Sequence, residues 1–187
     1  MTDYMEALKE PTTSNGKAPA RNLTWSRLDA EGFKVNWDSA INSREGKIGI
    51  GVLVRDHQGR VIGALHANNP LKGSPFDAEA YGVLLTAIFC RELGLKSIYL
   101  EGDAKQVVDL LKNHKLNWSL GGCLIGDARQ LLNEYSLWSV SHVLREANSA
   151  AHYLAKDALL CSEDLYDIEV CPSCICTIVT KEMLYTL

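Results

Sequence analysis

No stretch of this chain stays apolar for the ~18 residues that crossing a bilayer takes, which excludes a membrane-spanning helix from the reading. Residues 1–21 mix acidic, polar and basic side chains and lack the apolar core of a secretory signal, so an intracellular protein, nuclear or cytoplasmic, is expected. Without such a signal, the six cysteines read as reduced thiols and not as a disulfide framework. Excess positive charge is also missing: 19 Lys and Arg stand against 23 Asp and Glu, a net charge of -4. That balance argues mildly against nucleic-acid binding through the overall field and leaves a local patch or bound cations as the route. The chain has no internal repeat. Its 47% apolar and 22% charged residues suit a globular protein, and 187 residues leave room for one domain of ordinary size with tails.

Residues 1–22, with Pro11, Thr12, Thr13, Ser14, Asn15, Gly16 and Pro19, read as a flexible arm, and Trp25 is the first side chain expected to be anchored. Phe33, Val35 and Trp37 alternate with Lys34 and Asn36, a strand pattern that delivers Asp38 to its far end. Lys47–Asp56 is a second strand, with Ile48, Ile50, Val52 and Val54 on one face and Gly49 and Gly51 on the other. Such a glycine pair signals close approach to the backbone. A turn at His57–Arg60 returns the chain as a third strand, Val61–His66. Helical periodicity follows over Phe76–Leu93, with Gly94 at the C-terminal cap. A strand over Lys96–Glu101 comes next, and then a helix capped by Asp103 and running to Leu111. Leu124–Tyr135 reads as a helix, Leu137–Leu144 as a strand, and Asn148 as the cap of a last helix reaching about Leu160. The order βββαβααβα predicts an α/β fold with one five-stranded mixed sheet, three antiparallel strands followed by two parallel ones, flanked by helices.

Asp38, Glu79 and Asp103 fall at the ends of these elements. Strand ends are where open sheets place ligands, so Asp38 and Asp103 converge if their strands are parallel neighbours, with Glu79 leaning over from the helix start. Three carboxylates in one small site repel as free anions, and Mg²⁺ or Mn²⁺ resolves that conflict with hard oxygen ligands. Two such ions can clamp a phosphodiester. Taken singly, Glu79 near a helix N-terminus and Asp103 as a helix cap have ordinary structural explanations.

Val35-Asn36-Trp37-Asp38-Ser39-Ala40, Asp77-Ala78-Glu79-Ala80, Glu101-Gly102-Asp103, His142-Val143-Leu144-Arg145-Glu146-Ala147-Asn148 and Tyr153-Leu154-Ala155-Lys156 occur in that order. Together they resemble the ribonuclease H-like domain of the reverse-transcriptase-like family, a group abundant in plants and related to non-LTR retroelements. The resemblance covers about residues 25–160 and, weakly, 172–179. It implies a ribonuclease H-like fold over 25–161, with a flexible arm over 1–24 and a C-terminal tail over 162–187 packing on or extending the domain. It also implies Mg²⁺- or Mn²⁺-dependent endonucleolytic hydrolysis of the RNA strand of RNA–DNA hybrids by a monomer. Asp38, Glu79 and Asp103 would be the metal-binding carboxylates, Asp38 bridging both ions and Glu79 also sensing the RNA 2′-hydroxyl. The family commonly places a fourth carboxylate four residues after the Asn of its Arg-Glu-Ala-Asn stretch; here His152 stands there. An imidazole suits Mg²⁺ poorly, so His152 is expected to weaken metal binding, ligate Mn²⁺, shuttle a proton or face solvent. A module that keeps the fold but only binds nucleic acid is the alternative, and a metal-dependent phosphatase or DNA-directed nuclease on the same sheet is a third reading. Ser39 and Ala104 also depart from the family's usual Gly and Ser without removing a ligand.

Lys34, Arg44, Lys47, Arg55, Arg60, Lys72 and Arg145 are dispersed, and the connector Asn113–Gly122 carries only Lys115. Weak, salt-sensitive binding follows. Trp118 and Trp37 are candidates for stacking on bases, with core packing favoured for Trp37. His142 reads as a satisfied strand histidine, while His57, His66 and His114 sit at turn or edge positions without a constellation. Cys171, Cys174 and Cys176 offer three thiols with no adjacent histidine, one ligand short of a closed zinc site, and read as structural.

Overall fold

A computed structural model describes residues 24–28, 31–113 and 117–185. The expected arm over 1–24 lies almost wholly outside them, as do His114 and Lys115. The chain forms β1 (Phe33–Asn42), β2 (Lys47–Asp56), β3 (Val61–Asn69), α1 (Pro75–Glu92), β4 (Ser97–Gly102), α2 (Lys105–Lys112), α3 (Leu120–Leu132), β5 (Leu137–His142), a 3-10 turn (Arg145–Asn148), α4 (Ser149–Ala158), β6 (Leu165–Ile168) and α5 (Cys176–Tyr185). Among the described residues no helix is long and apolar enough to cross a membrane.

The sheet runs β5-β4-β1-β2-β3-β6. β1, β2, β3 and β6 pair antiparallel, whereas β4 pairs parallel with β1 and with β5. The mixed α/β sheet matches the expectation, but it has six strands and not five. The sixth carries no sequence signal, because Leu165-Tyr166-Asp167-Ile168 lies at an edge with Leu165, Tyr166 and Ile168 all exposed, so no inside–outside alternation marks it.

Period-two alternation on β1 and β2 gives the sheet two faces with different jobs. Val35, Trp37, Ile48, Ile50, Val52 and Val54 bury one face in the main core with Ala80, Val83 and Ala87 of α1, and α2 and α3 close that layer. The other face carries Lys34, Asn36 and Asp38 and is covered by α4. Here the paired glycines have their reason: a Cβ on Gly51 would lie 2.3 Å from Ala151 O, and one on Gly49 2.2 Å from Ala155 O. The backbone of α4 therefore rides directly on β2. Gly51→Ala is expected to push α4 off the sheet, costing about 3 kcal/mol or more by overpacking against backbone that has no rotamer to yield. Thermal unfolding of the variant checks it, and an unchanged midpoint would show that the helix shifts freely.

Residues after Cys161 add β6 and α5. Ile175 and Val179 form a second small core with Leu53, Ala64, Ala150 and Leu154. Beneath it runs a buried polar network. Asn36 Oδ1 accepts from Trp25 Nε1 at 3.1 Å and from Arg55 Nη2 at 3.0 Å, while Asn36 Nδ2 donates to Glu101 and Asn148. Lys34 pairs with Glu101 at 2.8 Å, and Arg55, stacked 3.6 Å from the Trp25 ring, pairs with Glu182 at 2.5 Å. Lys34 and Arg55 are thus buried structural cations, which removes both from the surface charges expected to meet nucleic acid.

Candidate active site

Asp38 was expected at a strand tip. β1 instead continues four residues past it, to Asn42, paired with β2 throughout. The tip exists only on the other side: the parallel ladder with β4 covers Phe33–Asn36 and stops, so Asp38 lies just beyond the last shared rung. Gly102 then carries the chain to Asp103 beside it. The Trp37 indole fills the space a Cβ there would need, its nearest atom 2.5 Å from that point, so only glycine lets β4 end so close to β1.

The N-terminal end of α1 brings the third carboxylate. Ser74 caps the helix reciprocally with Asp77, and Asp77 also accepts from Gly121 N at 2.9 Å, tying the start of α3 to the start of α1. Glu79, two residues on, leans toward β1, where Ser39 donates to its Oε1 from the backbone at 3.1 Å and from Oγ at 2.5 Å. One oxygen each from Asp38, Glu79 and Asp103 lies within 4.8 Å of the other two. The structure therefore brings these three residues together.

Each carboxylate is held by one oxygen and left open on another. Asp38, fully buried, takes His152 Nδ1 on Oδ2 at 2.5 Å. Arg145 Nε donates to Asp103 Oδ2 at 2.8 Å. Asp38 Oδ1 and Glu79 Oε2 are buried and receive no N–H or O–H donor. Buried acceptors left open cost stability unless a ligand or proton serves them. Burial, with the Asp103 charge added, pushes the Asp38 carboxyl up, and burial beside Asp38 raises Glu79 to about 8. A hard divalent cation fits this donor set, which is all carboxylate oxygen, anionic in excess and already fixed.

A raised carboxyl pKa means that the folded protein binds a proton more tightly than the unfolded chain does. The stabilisation is full below about 4.5 and is lost as pH climbs through about 8. Glu79→Gln is expected to flatten that decline in metal-free protein, and saturating Mg²⁺ to flatten it in wild type. Thermal midpoints measured from pH 5 to about 8.5 test both, and an equal slope in wild type and variant would refute the assignment.

Four expectations change here. Asp103 does not cap α2: Ala104 holds the cap position without a side-chain hydrogen bond, because the Asp103 carboxylate is turned to Arg145. Asn148 does not cap α4 with its side chain either; Nδ2 donates to Trp37 O at 2.8 Å, fixing the backbone just before Asp38. His152 neither faces solvent nor joins the cluster of candidate ligand oxygens, but clamps Asp38. His142 Nε2 lies 3.1 Å from Asp103 O. His66, expected at an edge, is 3% exposed, because β6 covers β3. Trp37 is fully buried and Trp118 is 84% exposed. Arg145, 61% exposed at its side chain, remains a cation at the rim. The network of Asn36, Glu101 and Asn148 was not anticipated; its only sequence signal is polar residues on the inward face of an alternating strand.

A family model described as reverse transcriptase-like matches residues 36–158. An Arabidopsis thaliana protein named provisionally as a ribonuclease H protein is 28% identical over 169 residues, covering 88% of this chain and 26% of its own length, so the chain spans about a quarter of that relative. A ribonuclease H1 from the archaeon Halobacterium salinarum superposes with a TM-score of 0.63 at 23% identity, over 68% of this chain and 96% of the other. The N-terminal ribonuclease H domain of a Mycobacterium tuberculosis protein gives 0.62 at 20% identity, over 70% and 94%. A compost-derived ribonuclease H1 solved with an RNA/DNA hybrid gives 0.52 at 16% identity, over 67% and 94%. The fold is that of the ribonucleases H.

Proposed function

The chain belongs to the reverse transcriptase-like family, and from that premise we propose that it is a divalent-metal-dependent endonuclease hydrolysing the RNA strand of RNA–DNA hybrids. The observation that carries this reading is the convergence of Asp38, Glu79 and Asp103 with two buried, undonated oxygens among them. A binding-only module has no use for a costly cluster of buried carboxylates. Asp38, Glu79 and Asp103 would hold Mg²⁺ or Mn²⁺, which when bound activates a water and stabilises the leaving oxygen.

The remaining roles belong to the chain's own residues. Ser39 turns Glu79 so that Oε2 stays open, and His152 occupies one oxygen of Asp38 so that Oδ1 does. Arg145 orients Asp103 and presents a partly exposed guanidinium beside it, a donor suited to a phosphate. Glu79 is the group that reads the RNA 2′-hydroxyl, which separates RNA from DNA at such a site. His152 supplies neither a fourth negative charge nor a hard oxygen, so the centre binds Mg²⁺ more weakly than four carboxylates would and gains from Mn²⁺. With Lys34 and Arg55 buried, substrate affinity rests on few cations, so binding is weak and its salt dependence shallow.

The test is a panel of labelled RNA–DNA hybrid, single-stranded RNA and duplex DNA, incubated with Mg²⁺, Mn²⁺ or chelator. The expected result is cutting of the hybrid's RNA strand alone, faster with Mn²⁺ and absent with chelator. No cutting in either metal would sink the enzymatic reading, and equal cutting of duplex DNA would sink the substrate assignment.

A further inference from the structure

The sheet face beneath α4 holds a second group of metal-competent side chains. His66 of β3, Asp157 of α4 and Cys174 of the segment between β6 and α5 each offer a donor atom within 4.8 Å of the other two. Four elements meet here, because Asp167 of β6 is also at the imidazole. Asp157 Oδ2 is 3.0 Å from His66 Nδ1, and Asp167 Oδ2 is 3.6 Å from His66 Nε2. The ring is 97% buried, and Nε2 has no hydrogen-bond partner.

From this juxtaposition we propose that His66, Asp157 and Cys174 form a binding site for Zn²⁺ or a cation of its class, with Asp167 facing the other ring nitrogen. The donor set is one imidazole nitrogen, one thiolate and carboxylate oxygen. That mixture suits a borderline-soft, tetrahedral ion and suits Mg²⁺ poorly, which sets this site apart from the all-oxygen group at Asp38. A cation held between Nδ1 and Asp157 leaves Nε2 facing Asp167, the arrangement that fixes the tautomer and orientation of a ligating histidine. In sequence the cysteine cluster lacked a histidine; the missing ligand comes from a strand that precedes Cys174 by 108 residues, the difference of the two residue numbers. Cys171 and Cys176 take no part, Cys176 Sγ being turned to Cys171 O at 3.1 Å.

The site has a structural consequence that needs no catalysis. Asp38, Gly51 and His66 share one rung of the sheet, so His66 stands two strands from Asp38, about 10 Å away. α4 crosses both positions, placing His152 on Asp38 and Asp157 on His66. A cation at His66 therefore pins α4 to β3 and to the chain leading into α5.

Co²⁺ and Zn²⁺ binding to the full chain tests the proposal, in an Asp38→Asn, Asp103→Asn background that removes the carboxylate centre. The expected result is one Co²⁺ per chain with thiolate-to-cobalt charge-transfer absorption and tetrahedral visible bands, displaced by Zn²⁺. Cys174→Ser, at an exposed position that tolerates the change, should abolish the charge-transfer band, while Cys171→Ser and Cys176→Ser keep it. Asp167→Asn should weaken Co²⁺ binding roughly 10- to 100-fold. Zn²⁺ should raise the thermal midpoint of the background protein and not of its Cys174→Ser derivative. Absence of a thiolate band, or a band that survives Cys174→Ser, overturns the site.

Discussion

Asp38→Asn is expected to reduce hydrolysis of an RNA–DNA hybrid by at least about a thousandfold, the rate equivalent of about 4 kcal/mol, while raising the thermal midpoint of the metal-free protein. The two effects have opposite signs because one carboxylate causes both. Asp38 is fully buried, and its carboxyl is pushed up by that burial and by the charge of Asp103. Asparagine keeps the shape, and its carbonyl oxygen can still accept from His152, but it carries no charge to desolvate or repel. A gain of about 2–6 °C is the expected scale for a chain of this length. Saturating Mn²⁺ should reverse the ranking, stabilising wild type by mass action and leaving the variant unmoved. Differential scanning fluorimetry with and without Mn²⁺, beside the cleavage assay, reads all of this. A variant that is both inactive and less stable in chelator would mean that Asp38 serves the fold and not a cation.

The second large effect lies on the same sheet face, away from the carboxylates. Arg55→Met is expected to cost about 3–5 kcal/mol, the range for removing one partner of a buried ion pair. That corresponds to a midpoint lower by about 6–20 °C. Arg55 is fully buried, its guanidinium shared among Glu182, Asn36 and the Trp25 ring. Methionine fills similar volume but takes the cation from all three. Arg55→Met combined with Glu182→Leu should recover much of the loss, since an apolar pair of matched size avoids burying a lone charge. Urea unfolding of the two single variants and the double variant gives the coupling. Additive losses would show that Arg55 and Glu182 act independently.

Much of this architecture was legible because period-two alternation is a strong signal where one sheet face is fully apolar. β2 was placed at its observed ends, and Gly49 and Gly51 announced the close approach of α4. The convergence of Asp38 and Asp103 was conditional on their strands being parallel neighbours, and the parallel pairing of β4 with β1 meets that condition. The errors share a cause. Asp103 and Asn148 stand where helix caps stand, and local sequence cannot tell a cap from a side chain recruited by Arg145 or by the Trp37 carbonyl. Lys34 and Arg55 looked like solvent-facing members of alternating strands because a buried cation becomes readable only when its distant partners, Glu101 and Glu182, are known. β6 carries no buried apolar face to mark it, and α5 is legible only through the core it completes with Leu53 and Ala64.

The Arg55 cluster also sets an order of events during synthesis. Trp25 and Glu182 meet on one guanidinium, and the Arg55–Glu182 contact spans 127 residues of chain. A chain emerging from a ribosome can pair β1 with β2 early, since those contacts are local. The far side of that hairpin must then wait for α5. At about 5–20 residues per second, Arg55 stays open to water for seconds after its strand is made. Throughout that interval Leu53 and Ala64 lack the cover of Ile175 and Val179, so the nascent chain presents an apolar patch beside a cation. Chaperone engagement should therefore be strongest before α5 emerges and should end with the arrival of Glu182.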